Sequence, residues 1–119
     1  MSQIAIEIKN LNKQYNNILA VKNITFNIKK GSIVGLLGPN GCGKTTTIGM
    51  MLGLIKPSSG SVFINDQNIE NENNRTKILE KMNFISPYLE LPKKLTVEEN
   101  LKVYGFMYGV KNLKIKFLI

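Results

Sequence analysis

Cysteine is almost missing: Cys42 is the only one in 119 residues, which excludes an internal disulfide and points to a reducing compartment. No apolar run approaches the ~20 residues that cross a bilayer, and no basic segment followed by an apolar stretch opens the chain. The expectation is a cytoplasmic protein with no direct membrane insertion, which reaches a membrane only through a partner. Histidine is absent as well, so the net charge of +8 comes from 16 Lys and Arg against 8 Asp and Glu. Such a balance suits nucleic acid or an acidic surface. However, the basic groups at Lys29-Lys30, Lys93-Lys94 and Lys111 to Lys116 have no aromatic residues interleaved for stacking, so they read as solvated surface and nucleic acid is not the expected partner. Internal repeats, linkers and low-complexity segments are also lacking.

What is present is room for one domain, with 43% apolar residues, and one strong motif. Gly38-Pro39-Asn40-Gly41-Cys42-Gly43-Lys44-Thr45 fits the phosphate-binding pattern G-x-x-x-x-G-K-[ST] at every fixed position. Average residue frequencies would produce that match by chance in about one of a few hundred chains of this length. The apolar run Ile33 to Leu37 before it has the character of a buried strand in a parallel sheet, and Thr45 to Leu54 after it can form a helix.

That arrangement suits a triphosphate, because a helix N-terminus offers unpaired N–H donors and the positive end of its dipole. Gly41 and Gly43 let the backbone curl close to phosphate oxygens, Lys44 reaches the outer phosphates, and Thr45 offers its hydroxyl to Mg²⁺. Thr46 either adds a hydroxyl near the inner phosphates or satisfies its own helix. Cys42 sits at a variable position, where it fills space rather than doing redox work.

Around the loop, Ile4, Ile6 and Ile8 alternate as in a half-buried strand, and Asn10, Asn12, Asn16 and Asn17 predict a turn-rich connection. Ala20 to Ile28 predicts a second strand. Tyr15, between the two, is either a surface packing residue or a ring that stacks on a purine. Ile48, Met51, Leu52 and Ile55 predict the buried face of the helix, which Gly53 and Pro57 end. Ser61 to Asn65 reads as a strand, 65–74 as a surface loop, the stretch with Ile78, Leu79 and Met82 as a short helix, and 83–86 as a brief strand. Pro87 and Pro92 bracket a further loop. Thr96-Val97-Glu98-Glu99 is a capping box, with the two glutamates acting as cap and surface charge, and it opens a helix with an apolar stripe of Val97, Leu101, Tyr104 and Tyr108.

With these residues placed, the chain resembles the N-terminal part of the ATP-binding cassette ATPases, the motor subunits of ABC transporters. The likeness rests on Leu11 to Tyr15, Ala20 to Phe26, Gly31 to Thr47, Gly53 to Val62 and Leu95 to Leu101, and above all on G-P-N-G-x-G-K-T followed by G-L-x-x-P-x-x-G. It implies an α/β fold of the P-loop nucleoside triphosphate hydrolase type, with an antiparallel β layer and the first part of a parallel-sheet core. Residues 1–110 would be part of the ATP-binding domain and 111–119 a tail.

The resemblance makes Tyr15 the adenine-stacking aromatic and Val21 a wall of the base pocket, with Asn40, Gly41, Cys42, Gly43, Lys44, Thr45 and Thr46 around the phosphates of ATP and Thr45 on Mg²⁺. It also implies a transmembrane permease partner at the inner face of the membrane and a second ATP-binding subunit. Phe106-Met107-Tyr108-Gly109 is more similar to export-type cassettes. Two departures stand out. Ser86 or Pro87 replaces the family's glutamine, and the signature motif, catalytic glutamate and switch histidine are not found in these residues. The expectation is ATP binding without hydrolysis by this chain alone, no catalytic residue within it, and exposed apolar surface. A non-catalytic interaction module and a nucleic-acid-associated cassette ATPase are the alternatives.

Overall fold

The computed structural model describes residues 3–86, 88 and 90–110, which form two compact units divided between Met82 and Asn83. In the first, β1 (Ile4–Tyr15) and β2 (Ile18–Lys29) make a long hairpin. β3 (Ser59–Ile64) pairs with the other edge of β1, and β4 (Gln67–Asn68) pairs with β3. All pairings are antiparallel, in the order β2-β1-β3-β4. Helices α1 (Lys44–Met51) and α2 (Glu72–Leu79) complete this unit, and α3 (Val97–Met107) belongs to the second.

The register lines up apolar residues across three strands. Ile8 faces Phe26 on one side and Val62 on the other, and Ile6 faces Ile28 and Ile64. Strict alternation would then send Leu11 to the opposite face from Ile8, yet both are fully buried. Asn10 resolves the conflict. It has φ 46 and takes up one extra residue in β1, so that Ile8 pairs with Phe26 and Leu11 with Ile24. Asn23, at φ 42, does the same in β2 and keeps Val21 on the face of Ile24.

Side chains take over the hydrogen bonds that the bulges disrupt. Asn10 N–H donates to Thr25 Oγ1 at 2.9 Å, Asn23 N–H donates to Asn12 Oδ1 at 2.8 Å, and Asn12 Nδ2 donates to Asn10 O at 2.8 Å. The turn expected from Asn10 onward is therefore confined to Asn16 and Asn17, and β1 runs through Asn10 and Asn12. Asparagine tolerates positive φ and bonds nearby backbone, which suits a bulge as well as a turn.

The core gathers Ile8, Leu11, Val21, Val62 and Ile64 from the sheet, Met50 from α1, Ile69, and Ile78 from α2. On α1 the buried face is Thr47, Gly49 and Met50 rather than the expected stripe, for Ile48 is exposed while Met51 and Ile55 only flank the core. The helix has the sheet on one side only, and that side sets which residues are covered.

Its C-terminus closes as anticipated. Gly53 at φ 66 follows the C-cap, Gly53 N–H donates to Met50 O at 3.1 Å, and Leu54 N–H donates to Gly49 O at 2.9 Å. Arg75 Nη2 donates to the Gly53 carbonyl at 2.6 Å and ties α2 to this turn. The segment 65–74, read as loop, holds a tight hairpin with Asn65 and Asp66 both at positive φ, the buried Ile69, and the start of α2.

Neither the run 33–37, expected as a strand of a parallel sheet, nor 83–86, expected as a brief strand, forms a strand. No described strand runs alongside 33–37 to satisfy its N–H and C=O groups, and Ile33 and Leu37 are fully exposed. At 83–86 side chains capture the amides instead: Phe84 N–H donates to Asn83 Oδ1 at 2.8 Å and Tyr88 N–H to Ser86 Oγ at 3.2 Å. Pro87 and the tail 111–119 lie outside the described residues.

In the second unit the capping box forms as read. Glu99 N–H donates to Thr96 Oγ1 at 3.2 Å, and Glu99 Oε2 accepts from Thr96 N–H at 2.7 Å. Glu98 pairs with Lys102 at 2.6 Å, so both glutamates act as cap and surface charge. Asn100 is buried and donates through Nδ2 to the carbonyls of Pro92, Leu95 and Thr96, which ties the preceding loop to α3. Leu101, Tyr104 and Tyr108 face a groove of about 570 Å³ with Phe84, Ile85 and Leu91, whereas Val97 stays outside it.

The N–H and hydroxyl of Thr96 hold the Glu99 carboxyl below its ordinary value. A depressed carboxyl stabilises the fold while ionised, so its contribution is complete above the ordinary glutamate range and is lost as pH falls through the lowered value. Amide exchange should show α3 losing protection across that acidic window, and Glu99→Gln should flatten the response. An unchanged pH profile in the variant would rule the carboxylate out as the cause.

Candidate functional site

The glycine loop meets the sheet at one point. Gly43 is the N-cap of α1 with φ 93, and a Cβ added to it would collide with Ala20 O of β2 and lie 3.1 Å from Val21 Cγ2. Only glycine meets both demands at once, the left-handed backbone and the missing side chain. β2 therefore sets the position of the loop.

At the start of α1 no side chain caps the first turn, and the first backbone bond is from Thr47 N–H to Gly43 O at 2.8 Å. The N–H groups of Lys44, Thr45 and Thr46 find no acceptor among the described residues. Together with the positive end of the helix dipole they form an anion-binding surface. Lys44 adds its charge there. Its Nζ donates to Gly38 O at 2.6 Å and to Pro39 O at 2.7 Å, and lies 3.8 Å from Cys42 Sγ, so the ammonium ties the end of the loop to its beginning.

Two cavities flank the loop. The larger, about 430 Å³, is lined by Leu19, Ala20, Val21, Lys22, Ile24, Leu36, Leu37, Gly41, Cys42, Gly43, Lys44 and Thr47. The smaller, about 220 Å³, is lined by Ala20, Asn40, Gly41, Gly43, Lys44, Thr45 and Thr46. The charged residues in these linings are Lys22 and Lys44, and among the described residues no carboxylate joins them.

The structure thus brings together eight of the nine residues singled out from the sequence. Val21 and Cys42 line the larger cavity, Asn40, Thr45 and Thr46 line the smaller, and Gly41, Gly43 and Lys44 line both. Tyr15 is not in either lining. It ends β1 opposite Ile18, half-exposed, with the Lys13 ammonium 4.8 Å from its ring centre. Ala20 and Thr47 were not singled out. Thr47 could have been found by helical spacing, one turn below Gly43 and Lys44, while Ala20 enters through the backbone contact with Gly43 and leaves no mark in its residue type.

Thr45 is exposed and its hydroxyl makes no hydrogen bond among the described residues, which leaves it available to a cation. No cluster of three or more Cys, Asp or Glu residues exists among them to hold a metal. The donor set therefore fits Mg²⁺ only when phosphate oxygens and water supply the other ligands, as that ion ordinarily accepts.

A glycine loop curled over a helix N-terminus, closed by its own lysine and braced on an antiparallel hairpin, is the arrangement of the phosphate-loop class. The chain belongs to the ABC transporter family, whose model matches residues 21–118. It is 33% identical over 120 residues to the Nod factor export ATP-binding protein I of Rhizobium sp. (strain N33), covering all of this chain and 38% of that protein. It is 35% identical over 116 residues to the osmoprotectant import ATP-binding protein OsmV of Salmonella typhimurium, covering 93% and 30%.

Among solved structures, a dimeric ATP-binding cassette in a post-hydrolysis state with ADP and Pi matches with a TM-score of 0.75 and 30% identity. That match covers 93% of this chain and 50% of the other. The first curated relatives are longer, and the chain spans 18 to 38% of their length. The expected fold, an incomplete cassette ATPase, stands on these likenesses.

Two glycines of left-handed φ allow a matched test of the loop's contact with β2. Gly31, at φ 72, has open space where a Cβ would go, whereas Gly43 has Ala20 O there. Gly31→Ala should cost about 1–2 kcal/mol from its backbone alone. Gly43→Ala should cost clearly more in urea denaturation, and equal losses would mean that the contact does not constrain the loop.

Proposed function

We propose that this chain is the nucleotide-holding part of an ABC transporter ATP-binding subunit, and that the loop 38–46 binds Mg-ATP. The observation that carries this reading is the set of unpaired N–H groups at Lys44, Thr45 and Thr46 beside the Lys44 ammonium. In binding, the Lys44 ammonium exchanges the neutral carbonyls of Gly38 and Pro39 for anionic phosphate oxygens, which adds ionic attraction to bonds already assisted by the donor's charge. The Thr45 hydroxyl faces the cation, which when bound neutralises charge on the outer phosphates. Asn40, Gly41, Cys42, Gly43 and Thr46 enclose the phosphates, Val21 walls the base side through its contact with Gly43, and Tyr15 stacks on the adenine at the end of the hairpin.

Hydrolysis also requires a group that orients water and a carboxylate near the cation. The cavity linings contain neither, so we propose binding without turnover by this chain alone. A permease at the inner face of the membrane and a second ATP-binding subunit are the proposed partners. No described helix is long and apolar enough to cross a membrane, which favours attachment through such a permease. Export is the proposed direction, on the likeness of Phe106 to Gly109 to export-type cassettes and on the Nod factor relative at 33% identity, with the osmoprotectant importer at 35% as the counterweight.

Titration calorimetry with Mg-ATP tests the reading. Lys44→Ala should weaken binding at least about ten-fold, the usual cost of losing charged hydrogen bonds, and neither protein should release phosphate. Identical heats for the two proteins would overturn the phosphate-binding role, and Lys44-dependent phosphate release would overturn the claim of no turnover.

A further inference from the structure

Lys13 lies outside both cavity linings, but it makes two contacts that converge on Tyr15. Its Nζ donates to Lys56 O at 2.8 Å and lies 4.8 Å from the centre of the Tyr15 ring. Lys13 and Tyr15 are two residues apart on β1 and share a face of the strand. Across the ladder Lys13 pairs with Val21, which touches the loop at Gly43. Lys56 belongs to the segment that leaves α1 after the Gly53 turn. One ammonium therefore joins the hairpin end, the ring and the exit of the helix that begins at the phosphate loop.

We infer that Lys13 is a positioning residue for the base end of the site: anchored on the Lys56 carbonyl, it holds one face of the Tyr15 ring and presents the other to a purine. This rests on the reading that Tyr15 stacks on adenine. The electrostatics agree, because the π-face of an aromatic ring attracts a cation. A ring fixed before the ligand arrives also spares the ordering cost that a mobile, half-exposed tyrosine carries on binding. The carbonyl anchor keeps the ammonium from following solvent, and an arginine at the same position could make both contacts.

The test compares two probes on the whole chain: Mg-ATP, which carries a base, and inorganic tripolyphosphate, which does not. Lys13→Met should weaken ATP binding roughly two- to five-fold, the measure of a cation–π contact near the surface. It should leave tripolyphosphate binding unchanged, which also shows that the variant is folded. Lys13→Arg should restore ATP binding, and in a Tyr15→Ala background Lys13→Met should have no further effect. If Lys13→Met weakens both probes alike, or neither, the positioning role is overturned. If Tyr15→Ala leaves ATP binding untouched, the stacking reading fails and the Lys13 role fails with it. A Tyr15→Ala loss without a Lys13→Met loss removes only the latter.

Discussion

The contact of Gly43 with the Ala20 carbonyl is the constraint on which the site depends. An anion site at a helix N-terminus works only if its donors are held in place before the ligand arrives, and α1 has just eight residues with which to hold them. An isolated helix of that length is not stable in water. It persists because Met50 and Thr47 bury one side against the sheet, and because Gly43 fixes its first turn to β2. The hairpin is thus the base of the candidate site as well as a flanking layer, and β2 bears on the loop through the Ala20 carbonyl and the Val21 side chain.

How much of this could be read from the residues differs from element to element. The phosphate loop was legible because its chemistry demands particular residue types at fixed spacing, so that Gly38, Gly43, Lys44 and Thr45 are recognisable without any fold. The capping box at Thr96 and Glu99 and the glycine stop at Gly53 were legible for the same reason, each being a local motif with its own hydrogen bonds. The buried face of α1 was not, since Ile48 and Leu52 are as apolar as Met50, and only the position of the sheet decides which of them is covered. Ile33 to Leu37 has the composition of a buried strand, but a strand exists by virtue of its neighbours, and composition does not supply them.

The two units differ in how far their apolar surface is covered. In the first, Ile8, Leu11, Met50 and Val62 are wholly enclosed. In the second, Asn100 is the buried residue of α3, while Phe106, Met107 and Val97 face solvent. A unit held by a capping box and by one amide bonded to three carbonyls has its order written in polar contacts near the helix start. Among the described residues of that unit hydrophobic burial, which dominates most folds, contributes less.

The bulges at Asn10 and Asn23 have a consequence for what this hairpin can tolerate. At each of these asparagines one strand takes an extra residue, so inward and outward positions exchange roles on crossing it. Losing one residue between Ile8 and Leu11 would turn everything downstream inside out, Tyr15 included, without altering the chemistry of any side chain. In this stretch the count of residues carries as much information as their identity.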